Sequence, residues 1–216
     1  MDERGGRRFA GAASGRVALA EEVQDLIQQL LAGDETQAEE VVGQLAQQPE
    51  QAVEALLKAL GERGGAEPQQ VDQRWWLLRA LAEIPDRRVP PVLIAALEEG
   101  EPGVRQCAAL GLRKQPDPAA IPTLIALLED SDHLTAALAA DALTVIGEPA
   151  VPDLIQVLEA GSDAARLEAV RALANIGDKR SIPALVKVLD ERSAILEYWA
   201  VEGLERMGVG MTFFKP

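Results

Sequence analysis

At 216 residues, 48% hydrophobic and 26% charged, the chain carries enough apolar material to bury a continuous core. A net charge of −14 repels phosphate backbones and excludes general nucleic-acid binding. No run approaches the roughly 18 to 20 apolar residues that span a bilayer, and the single cysteine, Cys107, rules out a disulfide framework and fits a reducing, cytoplasmic setting.

Residues 1–20 differ from the rest. Arg4, Arg7, Arg8 and Arg16 stand against Asp2 and Glu3 among four glycines, with little periodicity, so a flexible N-terminal tail is expected. Arg7-Arg8 does not make a twin-arginine signal, because Arg16 interrupts any apolar core after it. Residues 21–216 are expected to form one repeat domain.

From there on a helical pattern recurs. Leu26, Leu56, Leu93, Leu124, Leu154 and Leu185 are each followed four residues later by Leu30, Leu60, Leu97, Leu128, Leu158 and Leu189. This spacing puts both on one face of a helix. A second helix follows, centred on Leu45, Leu81, Leu112, Leu143, Leu173 and Leu204, and is closed by Pro49, Pro85, Pro116, Gly147, Gly177 and Gly208. In the fifth unit, VPDLIQVLEAGSDAARLEAVRALANIG, Pro152 suits a first helical turn, and Ser162 or Asp163 can cap the second helix. The second unit is longer than the others, with an insertion within GERGGAEPQQ (residues 61–70); its three glycines and proline predict an exposed loop that extends neither helix, and that either lies beside the functional surface or is simply a tolerated insertion. The expected fold is all-α, a right-handed α-solenoid of six helix pairs. Aromatics, only 3% of the chain, are scarce because thin helix pairs pack Leu, Ala, Val and Ile.

IPTLIALLEDSD and SDAARLEAVRALANIGDKRSIPALVKVLD resemble HEAT repeats of the phycobilisome-lyase type, whose pattern is a proline-started helix, a short acidic joint, and V-R-x-x-A-x-x-A-L-G. The resemblance spans residues 23 to 208 and is similar to E- and F-type phycobilin lyase subunits. It implies a HEAT-like binding scaffold whose partner is a phycobiliprotein or a second HEAT-repeat subunit. It also implies a bilin as bound ligand, though no cofactor is required. A non-enzymatic adaptor in phycobilisome assembly or degradation, or an unrelated scaffold, carries the same repeat.

No Ser-His-Asp set, phosphate loop or Cys-x-x-Cys can be assembled. No catalytic or metal residue is therefore assigned, and any part in a lyase reaction is confined to positioning bilin and acceptor. The one histidine, His133, sits beside Asp130 and Asp132 in a joint and is read as surface. The resemblance implies that the second helices line the binding face. Trp75, Leu167 and Tyr198 point away from the core, with Arg79 and Arg171 one turn on. Arg74 and Arg105, with Arg166, occupy the family's arginine position, where they either clamp a ligand's carboxylates or stitch neighbouring joints. Arg74-Trp75-Trp76 superposes on Glu197-Tyr198-Trp199. Trp76 and Trp199 are expected to be mostly buried, Trp75 and Tyr198 partly exposed, and Phe213 and Phe214 to cap the last repeat.

Overall fold

The computed structural model describes residues 19–32, 35–63, 65 and 67–209. Nearly all of the predicted tail, with Phe9, and the capping Phe213 and Phe214 lie outside the described residues. Within them the chain is all-α, with twelve α-helices and no strand. These are α1 (19–30), α2 (Glu35–Leu45), α3 (Pro49–Gly61), α4 (Pro68–Glu83), α5 (Val89–Ala96), α6 (Pro102–Lys114), α7 (Ile121–Ala126), α8 (His133–Ile146), α9 (Val151–Ala160), α10 (Asp163–Ile176), α11 (Ile182–Val188) and α12 (Ala194–Arg206). α3 pairs with α4, α7 with α8, α9 with α10 and α11 with α12, as the recurring leucines require. No single helix among the described residues is long and apolar enough to cross a membrane.

The chain divides into two compact units, Met1–Val89 and Pro90–Pro216. In the first, α4 packs against both α2 and α3. In the second, α6, α8, α10 and α12 stack as one layer, and α7, α9 and α11 pack against their own partners on the other side. The leucines of the repeat make the cores. Leu56, Leu93, Leu124, Leu154 and Leu185 on the first helices are fully buried, as are Leu45, Leu81, Leu112, Leu143 and Leu173 on the second. Burying each such side chain contributes about 1.5 to 3 kcal/mol. The second-helix layer packs closely because its facing positions are small: Ala108, Ala139, Ala140, Ala169, Ala172, Ala174 and Ala200 are all inaccessible or nearly so. Cys107 is one more small buried residue of that layer, at 3% exposure.

Helix ends follow the residues placed there. Ser162, not Asp163, caps α10 by accepting from the Ala165 N–H at 3.3 Å, and Asp132 caps α8 through the Thr135 N–H at 2.8 Å. Gly147 and Gly177 close α8 and α10 with positive φ, but differently. Gly177 (φ 68°, ψ 26°) is left-handed helical, whereas Gly147 (φ 81°, ψ −135°) lies where only glycine is comfortable. Alanine at 177 is expected to cost about 1 kcal/mol and alanine at 147 about 2 to 3. Urea denaturation of the two variants checks the order.

The insertion departs from expectation in one respect. Gly61 ends α3 and a loop follows, but α4 begins at Pro68, so the last residues of GERGGAEPQQ are helical. Proline at the first turn starts a helix without losing a bond, and Gln69 and Gln70 continue it. The insertion thereby lengthens α4 by about one turn.

Candidate functional site

The outward faces of α8, α10 and α12 present three rows. Leu134, Ala164 and Ile195 stand at the helix starts, Ala137, Leu167 and Tyr198 one turn later, and Asp141, Arg171 and Glu202 one turn beyond. The first two rows are apolar and open: Leu134 is 55%, Ile195 52% and Tyr198 58% exposed, with Leu167 half-buried between them. Leu134 on α8 and Ile195 and Tyr198 on α12 flank α10, whose Ala164 and half-buried Leu167 continue the apolar rows between them. The third row is polar and internally matched. Arg171 donates to Asp141 Oδ1 at 2.6 Å, to Glu168 Oε2 at 2.7 and 2.9 Å, and to the Ala137 carbonyl at 2.9 Å. Burial works against its charge, but the two carboxylates outweigh that and raise its pKa above the ordinary guanidinium value. Arg171 is therefore a brace between α8 and α10.

The family-position arginines stitch joints together. Arg105 donates through Nη1 to the carbonyls of Glu99 and Gly100, both at 2.8 Å, and through Nη2 to Asp130 of the next joint at 3.1 Å. Arg166 repeats the arrangement, with Nε on the Leu158 carbonyl at 2.8 Å and Nη2 on both oxygens of Glu191 at 2.6 Å. Arg74, only 6% exposed, donates to the Gly65 carbonyl of its own loop. Arg74 and Arg105 thus lie inside the joints and away from the outward face where the sequence placed a ligand. Beside His133, Asp130 is held by Arg105, and Asp132 accepts from Thr135 and from Gln106 at 2.7 Å. Those bonds, the Thr135 hydroxyl first, hold the Asp132 pKa below the ordinary carboxylate range. Among the described residues no group of three or more His, Cys, Asp or Glu side chains is arranged around a metal.

The first unit has its own feature. A cleft of about 730 Å³ lies along α2 and α4 and the turn after α1, lined by Leu31, Ala32, Glu35, Thr36, Glu39, Gln69, Asp72, Gln73, Trp75 and Trp76. The two indoles meet edge to face, with centroids 4.8 Å apart and planes at 88°, and Tyr198 and Trp199 repeat the geometry at 5.3 Å and 77°. Trp75 is half-buried and Tyr198 exposed, as their positions predict. Trp76 and Trp199 are half-buried, less covered than expected. Trp76 borders the cleft, and Trp199 meets the exposed ring of Tyr198 edge to face. Arg79, expected to join Trp75 as an anchor, is paired with Glu83 and with Glu39 at 3.1 Å.

The added turn of α4 supplies Gln69 to this cleft. The insertion supports it further: Arg63 donates to Gln73 Oε1 at 3.2 Å, and Gln73 in turn reaches the Leu31 carbonyl at 3.5 Å. Sequence reasoning missed Leu134 and Ile195, although an apolar residue off the core stripe was the available signal. It also missed Glu35 and Asp72, whose signal is a carboxylate sharing a helix face with an outward aromatic or with a second carboxylate.

A HEAT-repeat family model matches residues 66–144 and 122–205. Among solved structures the chain is similar to the complex of CpcE and CpcF of phycocyanin lyase from Nostoc sp. PCC7120, at 25% identity and a TM-score of 0.55 over 69% of this chain and 96% of that one. It is also similar to a designed armadillo repeat protein in complex with the peptide (KR)4, at 20% identity and a TM-score of 0.52 over 86% and 99% of the two chains, a likeness of fold alone. No curated protein matches the sequence. The chain belongs to the HEAT-repeat family.

Proposed function

We propose that this chain is a protein-binding scaffold that works as an adaptor. It docks a phycobiliprotein, or a second HEAT-repeat subunit bound to one, on the outward face of α8, α10 and α12. The exposed Leu134, Ile195 and Tyr198 of the first two rows carry the proposal, because three such side chains stand open to water at a free-energy cost that a partner removes. Likeness to a phycocyanin lyase complex supports the choice of partner.

That likeness also favours a second reading, in which the chain is a lyase-type subunit that positions a bilin. The arginines are less suited to it. Arg74, Arg105 and Arg171 are engaged with carbonyls or carboxylates of the chain, so a bilin propionate has to displace those bonds to be clamped. The adaptor reading needs no such exchange.

Immobilised chain is expected to retain phycobiliprotein from a phycobilisome-containing extract, followed by its visible absorbance. The Leu134→Ser/Ile195→Ser/Tyr198→Ser variant should retain about tenfold less, since truncating apolar anchors of this size costs more than 1 kcal/mol in binding. Equal retention by both proteins removes the docking face, and none by the wild type removes the partner. A shift in the absorbance of free bilin on titration with the chain alone favours the second reading.

A further inference from the structure

The cleft along α2 and α4 has a wall chemistry that the scaffold reading does not use. Two half-buried indoles stand beside the exposed carboxylates of Glu35, Glu39 and Asp72, and among the described residues no lysine or arginine lines it. Glu35 and Glu39 are one helical turn apart on α2; Asp72 precedes Trp75 and Trp76 by one turn on α4, so each helix directs its set to one side. The two indoles meet edge to face at one wall of the cleft. Its volume, about 730 Å³, falls in the range of small-ligand sites and admits a long side chain together with the backbone that bears it.

We propose that this cleft takes an arginine or lysine side chain of a partner segment, with the cation against an indole face and its N–H groups on Glu35 and Asp72. An indole next to carboxylates attracts a cation twice over, through the ring quadrupole and through direct charge. The same walls repel a carboxylate, so the site selects basic peptides over acidic ones and over bilin propionates. The chain's net charge of −14 adds long-range attraction of such a segment. Glu39 is shared with Arg79 at 3.1 Å, which holds one wall in place. The Arg63–Gln73–Leu31 chain of bonds fixes another, giving the insertion a role in shaping the cleft. This inference extends the scaffold reading to a second site on a different unit.

The test is fluorescence polarisation of a labelled tetra-arginine peptide with the full chain at physiological salt. Glu35→Gln/Asp72→Asn and Trp75→Ala are each expected to weaken binding about tenfold, and Trp75→Phe about threefold, because a smaller ring keeps part of the cation attraction. A control variant, Glu197→Gln/Glu205→Gln, removes the same charge from exposed sites on α12 and is expected to change affinity less than about twofold. An equal loss in the control, equal binding of a tetra-glutamate peptide, or no binding by the wild type overturns the proposal. So does self-association that Trp75→Ala abolishes without any peptide binding, which assigns the cleft to a second copy. Loss of phycobiliprotein capture with peptide binding retained breaks the scaffold reading and leaves the cleft standing. Capture retained with no peptide discrimination breaks this inference alone.

Discussion

Replacing Arg105 by leucine should cost about 3 to 5 kcal/mol, the range for leaving a buried charge without its partner. The Arg105 side chain is 12% exposed and that of Asp130 9%, so neither can be rehydrated in place. Leucine strands the Asp130 carboxylate and removes the donor to two joint carbonyls, those of Glu99 and Gly100. Arg166→Leu removes a bond set of the same design, yet its partner Glu191 is 37% exposed and can turn to water. The expected cost there is nearer 1 kcal/mol, that of a surface-type pair. Arg105→Lys keeps the charge but loses the planar fork that reaches both a carboxylate and two carbonyls, and should fall between. Asp130→Asn on top of Arg105→Leu should recover a part of the loss, because it removes the stranded charge. Urea midpoints of the five proteins check the series. Equal losses from Arg105→Leu and Arg166→Leu would overturn the burial argument.

Much of the fold was legible because the repeat applies one physical demand six times. A helix that buries Leu154 and Leu158 must be followed by one that buries Leu173, and glycine or proline must then stop it. The residues half-covered at the edge of each stripe, such as Ile94, Ile125 and Ile155, were not separable from the core by type alone. The division after Val89 was not legible, since the leucine pattern runs through it unbroken. At the insertion, composition misled. Glycines argued for loop, but Pro68 doubles as a helix starter, and which role it takes depends on whether the residues after it find a surface to pack on. Of the site, Tyr198 and Leu167 could be placed from helical phase. The fate of the arginines could not. Whether Arg171 faces a ligand or Asp141 depends on a residue thirty positions away on the neighbouring helix, and six-fold superposition gives its row but not its rotamer.

Gly203→Val should cost about 3 kcal/mol, at the upper end of overpacking substitutions. Gly203 lies in the middle of α12, where glycine is normally a liability of about 1 kcal/mol relative to alanine. Its presence is explained by α10. A Cβ at 203 would stand 2.8 Å from the Ala174 Cα, 3.0 Å from its Cβ and 3.2 Å from Leu185 Cδ1. The nearest of these atoms is backbone and cannot rotate away, so α12 itself has to move. Alanine gains helix propensity but meets the same contact, and its net cost should be about 1 kcal/mol; valine adds two methyl groups with nowhere to go. Ala174→Gly in the valine background should restore only part of the loss, because it removes the Cβ and leaves the Cα in place. Displacing α12 also carries Ile195 and Tyr198 out of line with Leu134 and Leu167. Phycobiliprotein capture by Gly203→Val is therefore expected to fall even below its unfolding midpoint, while tetra-arginine binding in the first unit stays unchanged. A Gly203→Ala protein more stable than wild type, measured by urea denaturation, would mean that α10 and α12 separate at no cost and would remove the close-packing account of the second-helix layer.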